Sequence, residues 1–284
     1  MRHFAFQKPD LDTVLTAWIL GFRPEDKLIL ASNANNREML SDQSIICIEC
    51  GGSGQVDMGN FDHHDMRFKL PCACVQAYSW KGISDLVLYR LVKYVQAVDE
   101  GIRHCHLGRS VSDIHFSGIY SGMLLTHSNS LFSQFYRGID LFQFAYQNRI
   151  DPWNPQSNIP EWENYIQAKK KQYRQLKRYA SHAIVLKTIS GIRFGYLKAP
   201  IPGIHALLRR LGCKISIAQG LNQYNNRYYT SISSHNLNMT VLLPALLKKE
   251  RGWGGPDHGR IISSPKSGTT LSEKDIINMV RVYF

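Results

Sequence analysis

Val56-Asp57-Met58-Gly59-Asn60-Phe61-Asp62-His63-His64 closes on three consecutive side chains that can each bind a divalent cation. Placing an aspartate and two imidazoles beside a core is costly unless an ion or a partner neutralises them. Alone, the triplet is weak evidence, because short Asp/His strings also occur in exposed loops. It gains weight from acidic residues at the ends of other apolar segments. Asp10-Leu11-Asp12 follows the first hydrophobic run, Glu49 closes another, and Asp99 ends a long amphipathic stretch. The set points to a centre rich in carboxylate and imidazole.

The segments around these residues predict an α/β architecture. His3–Gln7 reads as a short strand, followed by a turn at Lys8-Pro9-Asp10 and a helix to about Phe22, where Leu11, Val14, Leu15, Trp18 and Ile19 recur at helical spacing. Lys27–Ala31 and Ser44–Cys50 are short apolar runs suited to buried parallel strands, and Met58–His63 reads as another. Trp80–Val98 predicts one amphipathic helix, with Asp113–Thr126 and Leu131–Arg149 as further helices. Strands separated by helices favour a mostly parallel sheet with ligand groups at the strands' carboxyl ends.

Two prolines in Asp151-Pro152-Trp153-Asn154-Pro155 break this pattern. From His182 onward the segments alternate differently. Ala183–Thr188 and Ile192–Leu197 read as a hairpin, His205–Leu211 as a helix, Cys213–Gln219 and Arg227–Ser233 as strands, and Thr240–Glu250 as a helix. The expected organisation is a metal-binding domain over 1–155, a helical connector over 156–181 and a smaller mixed α/β domain over 182–284.

Composition narrows the function without choosing it. The chain has 284 residues, a net charge of +12 and a pI near 9.4, so anionic partners are expected. Lys169, Lys170, Lys171, Arg174, Lys177 and Arg178 concentrate charge on one helical stretch, which reads as a solvated face ahead of a nucleic-acid stripe. No apolar run reaches the roughly 18 residues of a membrane span, and the N-terminus turns polar too early for a signal peptide. A cytoplasmic location without membrane contact is the expectation. The six cysteines then read as reduced thiols, with Cys47 inside a buried strand, ahead of a zinc site joining Cys47, Cys50, Cys72 and Cys74.

Several candidate residues have ordinary alternatives. Asp10 and Asp12 suit the first turn of a helix as caps as well as ligands. Glu49, before Gly51-Gly52-Ser53-Gly54, can be a solvated strand end or a carboxylate reaching into a cleft. His104-Cys105-His106 reads as a loop and not as a ligand cluster. Oxygen and imidazole donors without thiolate suit manganese, and magnesium less well.

In order, these motifs resemble the DHH phosphoesterase family. Phe6-Gln7-Lys8-Pro9-Asp10-Leu11-Asp12 is similar to its first motif and Ile46-Cys47-Ile48-Glu49-Cys50-Gly51 to its second. Asn60-Phe61-Asp62-His63-His64 matches the third and Ala97-Val98-Asp99-Glu100-Gly101 the fourth. Gly252-Trp253-Gly254-Gly255-Pro256-Asp257-His258-Gly259, continued through Ile261–Gly268, resembles the glycine-rich loop of the family's accessory domain. The resemblance implies metal ligation by Asp10, Asp12, His63 and Asp99, with Glu49 in place of a bridging aspartate. It implies catalytic roles for His64, at the scissile phosphate, and for Asp62, which orients or supplements the metal shell. It further implies substrate contacts from Gly254, Gly255, His258, Arg260 and Lys266.

The implied cofactor is Mn2+ or Mg2+, as two ions or as one. The implied activity is hydrolysis of a phosphodiester or phosphoanhydride in an oligonucleotide, dinucleotide, bisphosphate or polyphosphate. A homodimer is among the expectations. Two departures bear on the chemistry. Phe6 stands where the family usually has a histidine ligand, and Glu49 is one methylene longer than aspartate. They motivate the alternative, a weak or inactive family member that binds nucleotides or nucleic acid.

Overall fold

The computed structural model describes residues 1–32, 36–65, 67–101, 114–154, 158–222, 227–255, 259–265 and 267–284. The chain divides into two compact units, Met1–Lys170 and Lys171–Phe284. The division falls inside a helix, Glu163–Tyr179, within the stretch read as a connector. Both units are α/β, as expected.

The first unit is built on a parallel sheet of β1 (His3–Phe6), β2 (Lys27–Leu30), β3 (Ile45–Ile48) and β4 (Asn60–Phe61), in the order β2-β1-β3-β4. Side chains alternate between its faces. Phe4, Phe6, Ile48 and Phe61 enter one core, while Ala5, Ala31, Cys47 and Cys50 form a smaller one. The larger core is filled from α1 (Leu11–Ile19), α3 (Ala73–Lys81), α4 (Leu86–Asp99), α5 (Phe116–Thr126) and α6 (Leu131–Gln147). A short α2 (Arg37–Ser41) precedes β3. Phe6 pairs with Ile48, and Ile48 with Phe61, so three strands end side by side. That register brings Lys8–Asp12, Glu49 and Asp62–His64 to one edge.

Two expectations are corrected here. The single helix over Trp80–Val98 is two helices, because Gly82 adopts φ 60° and closes α3 through its amide to Ser79 O. Asp85 then caps α4, accepting from the Leu88 amide at 2.8 Å. The strand over Met58–His63 is only Asn60–Phe61, preceded by a 3-10 turn at Val56–Met58 and a left-handed Gly59. The five described cysteines are free and buried, consistent with core thiols; Cys105 and its flanking histidines lie outside the described residues.

After α7 (Glu163–Tyr179), the second unit carries a mixed sheet ordered β5-β6-β7-β8-β9, with only β6 and β7 parallel. Its strands are Ile184–Lys187, Arg193–Ala199, Ile215–Asn222, Arg227–Ser234 and Ile261–Ser263. Helix α8 (Ile204–Arg210) covers one face with Leu208 and Ile204 against Leu197 and Ala218. The other face packs Leu246 of α9 (Leu243–Lys249) and Ile276 and Val280 of α10 (Glu273–Tyr283) on Phe194, Ile217 and Ile232. The helix expected over Thr240–Glu250 begins as a 3-10 turn, Met239–Leu242, and becomes α-helical next to Pro244.

His205 of α8 spans this sheet's inner polar row, with Nδ1 2.7 Å from Ser216 Oγ and Nε2 2.8 Å from Ser231 Oγ. Burial, and then the Arg209 charge, lower its pKa to about 4. The unfolded chain takes up the proton near pH 6.5, whereas the fold resists it. Stability is therefore complete above about pH 6.5 and falls as pH drops towards 4. With allowance for partial exposure, a loss of about 2 kcal/mol is expected. Urea unfolding at pH 7 and pH 4.5 checks this, and His205→Gln should flatten the difference.

Candidate metal centre

The β1–α1 turn sets two carboxylates differently. Asp10 caps α1, accepting from the Thr13 amide at 3.1 Å, and its other oxygen lies 2.7 Å from Lys8 Nζ. Asp12, two residues further on in the first turn of α1, is 3% exposed. It accepts from the Ala73 and Cys74 amides, each at 2.8 Å, at the start of α3. Those amides sit at the positive end of the helix dipole and hold the carboxylate in one orientation.

Glu49 leaves β3 with φ 52°, a left-handed conformation that a residue with a Cβ adopts at a cost of about 1 kcal/mol or more. The turn aims its buried carboxylate at α1, where Oε2 accepts from Thr13 Oγ1 at 2.6 Å. The glycine-rich segment after it is an ordered cradle for Asp62. Gly51 N donates to Asp62 Oδ2 at 2.9 Å, and Ser53 Oγ and His64 N donate to Oδ1 at 2.6 and 2.7 Å. Gly52 has φ 72°, and a Cβ there would meet the Asn60 side chain at 2.9 Å.

The two imidazoles stack with centroids 4.4 Å apart and 23° between planes. His63 Nε2 lies 3.3 Å from Asp99 Oδ2, and its Nδ1 3.8 Å from Asp12 Oδ2. His64 Nε2 lies 3.9 Å from Glu49 Oε1, and its Nδ1 3.6 Å from Asp62 Oδ1. Asp12, Glu49 and Asp99 offer oxygens within 4.8 Å of one another, as do Glu49, His63 and His64 their donor atoms. Asp10 and Asp62 belong to neither group. The sheet edge thus gathers all seven predicted residues, five of them as close donors.

Electrostatics show what this edge lacks. Burial, then the Asp10 and Asp12 charges, raises the Glu49 carboxyl well above its ordinary value. Burial and the Asp99 charge raise Asp12. For His63, burial lowers the pKa, but the hydrogen bond and charge of Asp99, with Asp12, outweigh it and raise it. Burial likewise opposes ionisation of Asp62, yet donors from His64, Ser53 and Gly51 hold that carboxylate well below the usual range. Mutually repelling carboxylates that are this buried call for a counter-cation.

The residues fit a hard divalent ion. His63 Nδ1 is buried without a hydrogen-bond partner among the described residues and faces Asp12. Asp12 also lies by Cys72 and Cys74, but burial raises the Cys74 thiol well above its ordinary value, which disfavours the thiolate a soft-metal site needs. Phe6 stacks on Phe135 at 4.8 Å and meets Phe132 edge-on at 6.3 Å. It is core, not ligand.

In the second unit, Gly254 does not present a spare amide. Its N–H donates to Ser263 O at 3.0 Å and its carbonyl accepts from Ser263 N at 2.7 Å, forming an isolated bridge. A Cβ on Gly255 would come within 2.2 Å of Ile261 O, so glycine there permits close backbone packing. The Arg260 carbonyl accepts from Ser234 N, and the residue is exposed. His258 and Lys266 lie outside the described residues. The sequence reading missed a cleft of about 510 Å³ lined by Lys198, Gln219, Tyr228, Arg251, Gly268 and Thr269, among others. Lys198 Nζ stands 4.1 Å above the Tyr228 ring there. It also missed Thr13 and Ser53, whose hydroxyls hold Glu49 and Asp62. The Gly-Gly-Ser-Gly run was the only available signal for Ser53.

No protein-family model and no curated protein matches the chain. Among solved structures, it is similar to the pGpG-specific phosphodiesterase PggH from Vibrio cholerae. The TM-score is 0.62 at 12% identity, over 99% of this chain and 96% of that one. The DHH domain of a protein described as a member of a family of ribosomal proteins matches with TM-score 0.44 at 14% identity, over 98% and 85%. An uncharacterized protein from Helicobacter pylori G27 matches with TM-score 0.24 at 15% identity, over 99% and 98%. By fold, the chain is a two-unit α/β protein. The structure that it resembles over nearly its whole length is PggH.

Proposed function

We propose that this chain is a divalent-metal-dependent phosphohydrolase that cleaves a phosphodiester or phosphoanhydride in a short anionic substrate. The observation that carries the reading is the convergence of Asp12, Glu49, His63 and Asp99 at the strand ends, with His63 Nδ1 left unpartnered among the described residues. A bound Mn2+ or Mg2+ supplies Lewis acidity to a phosphoryl oxygen and lowers the pKa of a water nucleophile.

The chain's own groups do the rest. The Ala73 and Cys74 amides fix Asp12, and Thr13 fixes Glu49. Asp62 anchors the His64 backbone, which leaves the partly exposed His64 ring to donate to a phosphate oxygen. Charge of +12 favours the approach of an anion. Of the candidate substrates, the likeness to a pGpG-specific phosphodiesterase puts linear dinucleotides first.

A second reading has its own observation. Phe6 lies in an aromatic cluster and Asp10 is tied to Lys8, so part of the expected ligand set is spent elsewhere. A chain weakened in this way would bind nucleotides without efficient turnover. One screen separates the two: manganese-dependent phosphate or nucleotide release over dinucleotides, oligonucleotides, bisphosphates and polyphosphate. Turnover of at least one substrate, strongest for a dinucleotide and abolished by EDTA, is expected. Retained dinucleotide binding with no metal-dependent release supports the binder instead.

A further inference from the structure

We propose that the Lys8 ammonium takes the place of a second divalent ion, so that the chain holds one metal ion, at Asp12, Glu49, His63 and Asp99. The inference rests on the phosphohydrolase reading and concerns how that centre is charged. Three observations support it.

The first is the fate of Asp10. Its carboxylate meets the Lys8 ammonium at 2.7 Å and the Thr13 amide at 3.1 Å. A cation therefore already sits on Asp10. A metal ion there would have to displace it or stand beside a like charge only a few ångströms away. The second is that the neighbouring position offers no donor. Phe6 is fully buried and its ring stacks on Phe135, so β1 contributes hydrocarbon where a ligand would be needed.

The third is that the close donor groups overlap. Asp12, Glu49 and Asp99 form one group and Glu49, His63 and His64 the other, sharing Glu49, and His63 reaches both Asp12 and Asp99. Among the described residues, Asp12, Glu49, His63 and Asp99 furnish the shared position, whereas Asp10 belongs to neither group. Lys8 is 66% exposed while holding Asp10. It can thus place positive charge on the solvent side of the centre, where an incoming phosphate arrives.

Manganese titration calorimetry with electron paramagnetic resonance tests this on the full-length chain. The wild type should bind one Mn2+ and give the spectrum of an isolated ion. Lys8→Ala, a change at an exposed residue, should add a second equivalent at least tenfold weaker than the first, with a spin-coupled signal at saturation. Lys8→Ala combined with Asp10→Asn, which preserves the helix cap, should lose that second equivalent. Two equivalents in the wild type overturn the inference but leave the phosphohydrolase reading intact. So does the absence of a second equivalent in Lys8→Ala, or its persistence in the double variant. No bound manganese in any form defeats the metal-dependent reading itself.

Discussion

His63→Ala should lower manganese-dependent hydrolysis by about a thousandfold or more, with little loss of stability in the metal-free protein. Among the described residues, the ring is the only imidazole that reaches both Asp12 and Asp99, at 3.8 and 3.3 Å. Its removal takes a nitrogen donor from the centre and leaves Asp99, at the end of α4, without its closest partner there. A metal contribution of several kcal/mol to the barrier corresponds to that rate loss. The fold should tolerate the change, because the imidazole's contacts are to carboxylates that water can reach once it is gone, and Asp12 keeps its two amide donors. Single-turnover rates with and without Mn2+, paired with urea unfolding in EDTA, separate the effects. Equal loss of rate and stability would place His63 in the scaffold instead.

Asp62→Ala should damage both properties. Three donors converge on this carboxylate, from Gly51, Ser53 and His64. Truncation leaves buried N–H and O–H groups without an acceptor, at a cost of about 2–4 kcal/mol in total. Metal affinity should fall about 10–100-fold, the usual penalty for losing a group that orients a ligand. The pH dependence follows from the same bonds. The folded-state pKa is depressed, so Asp62 stabilises the fold above about pH 4 and that stability is lost as pH falls through its folded value. Asp62→Ala should therefore make unfolding less acid-dependent below pH 4, as measured by urea midpoints at pH 5 and pH 3.

The sheet and the edge that holds the site were legible in the sequence for a local reason. Short apolar runs ending in Asp10, Glu49 and Asp62 specify buried strands, and parallel strands carry polar termini to a common edge. What could not be read were contacts distant in the chain. The Ala73 and Cys74 amides reach Asp12 across 61 and 62 positions, and helical periodicity gives no warning that α3 starts there. The Trp80–Val98 periodicity persisted across a break because Ile83 still packs against the core while Gly82 ends the helix. Phe6 was legible as a missing donor, but its aromatic partners come from α6, more than a hundred residues away.

The glycine-rich loop illustrates a different limit. The resemblance implied substrate contacts from Gly254 and Gly255, yet Gly254 is consumed in a bridge and Gly255 in close packing. The cleft with Lys198, Tyr228 and Arg251 assembles from β6, β8 and the segment after α9, whose cross-sheet neighbours no local pattern specifies.

Electron spin echo spectroscopy of the Mn2+-loaded chain tests whether Asp12, Glu49, His63 and Asp99 hold one metal ion together. The wild type should show nitrogen modulation from a coordinated imidazole, and His63→Ala should lose that modulation together with most of its metal affinity. Bound manganese without nitrogen modulation, or modulation and affinity unchanged in His63→Ala, would contradict the account.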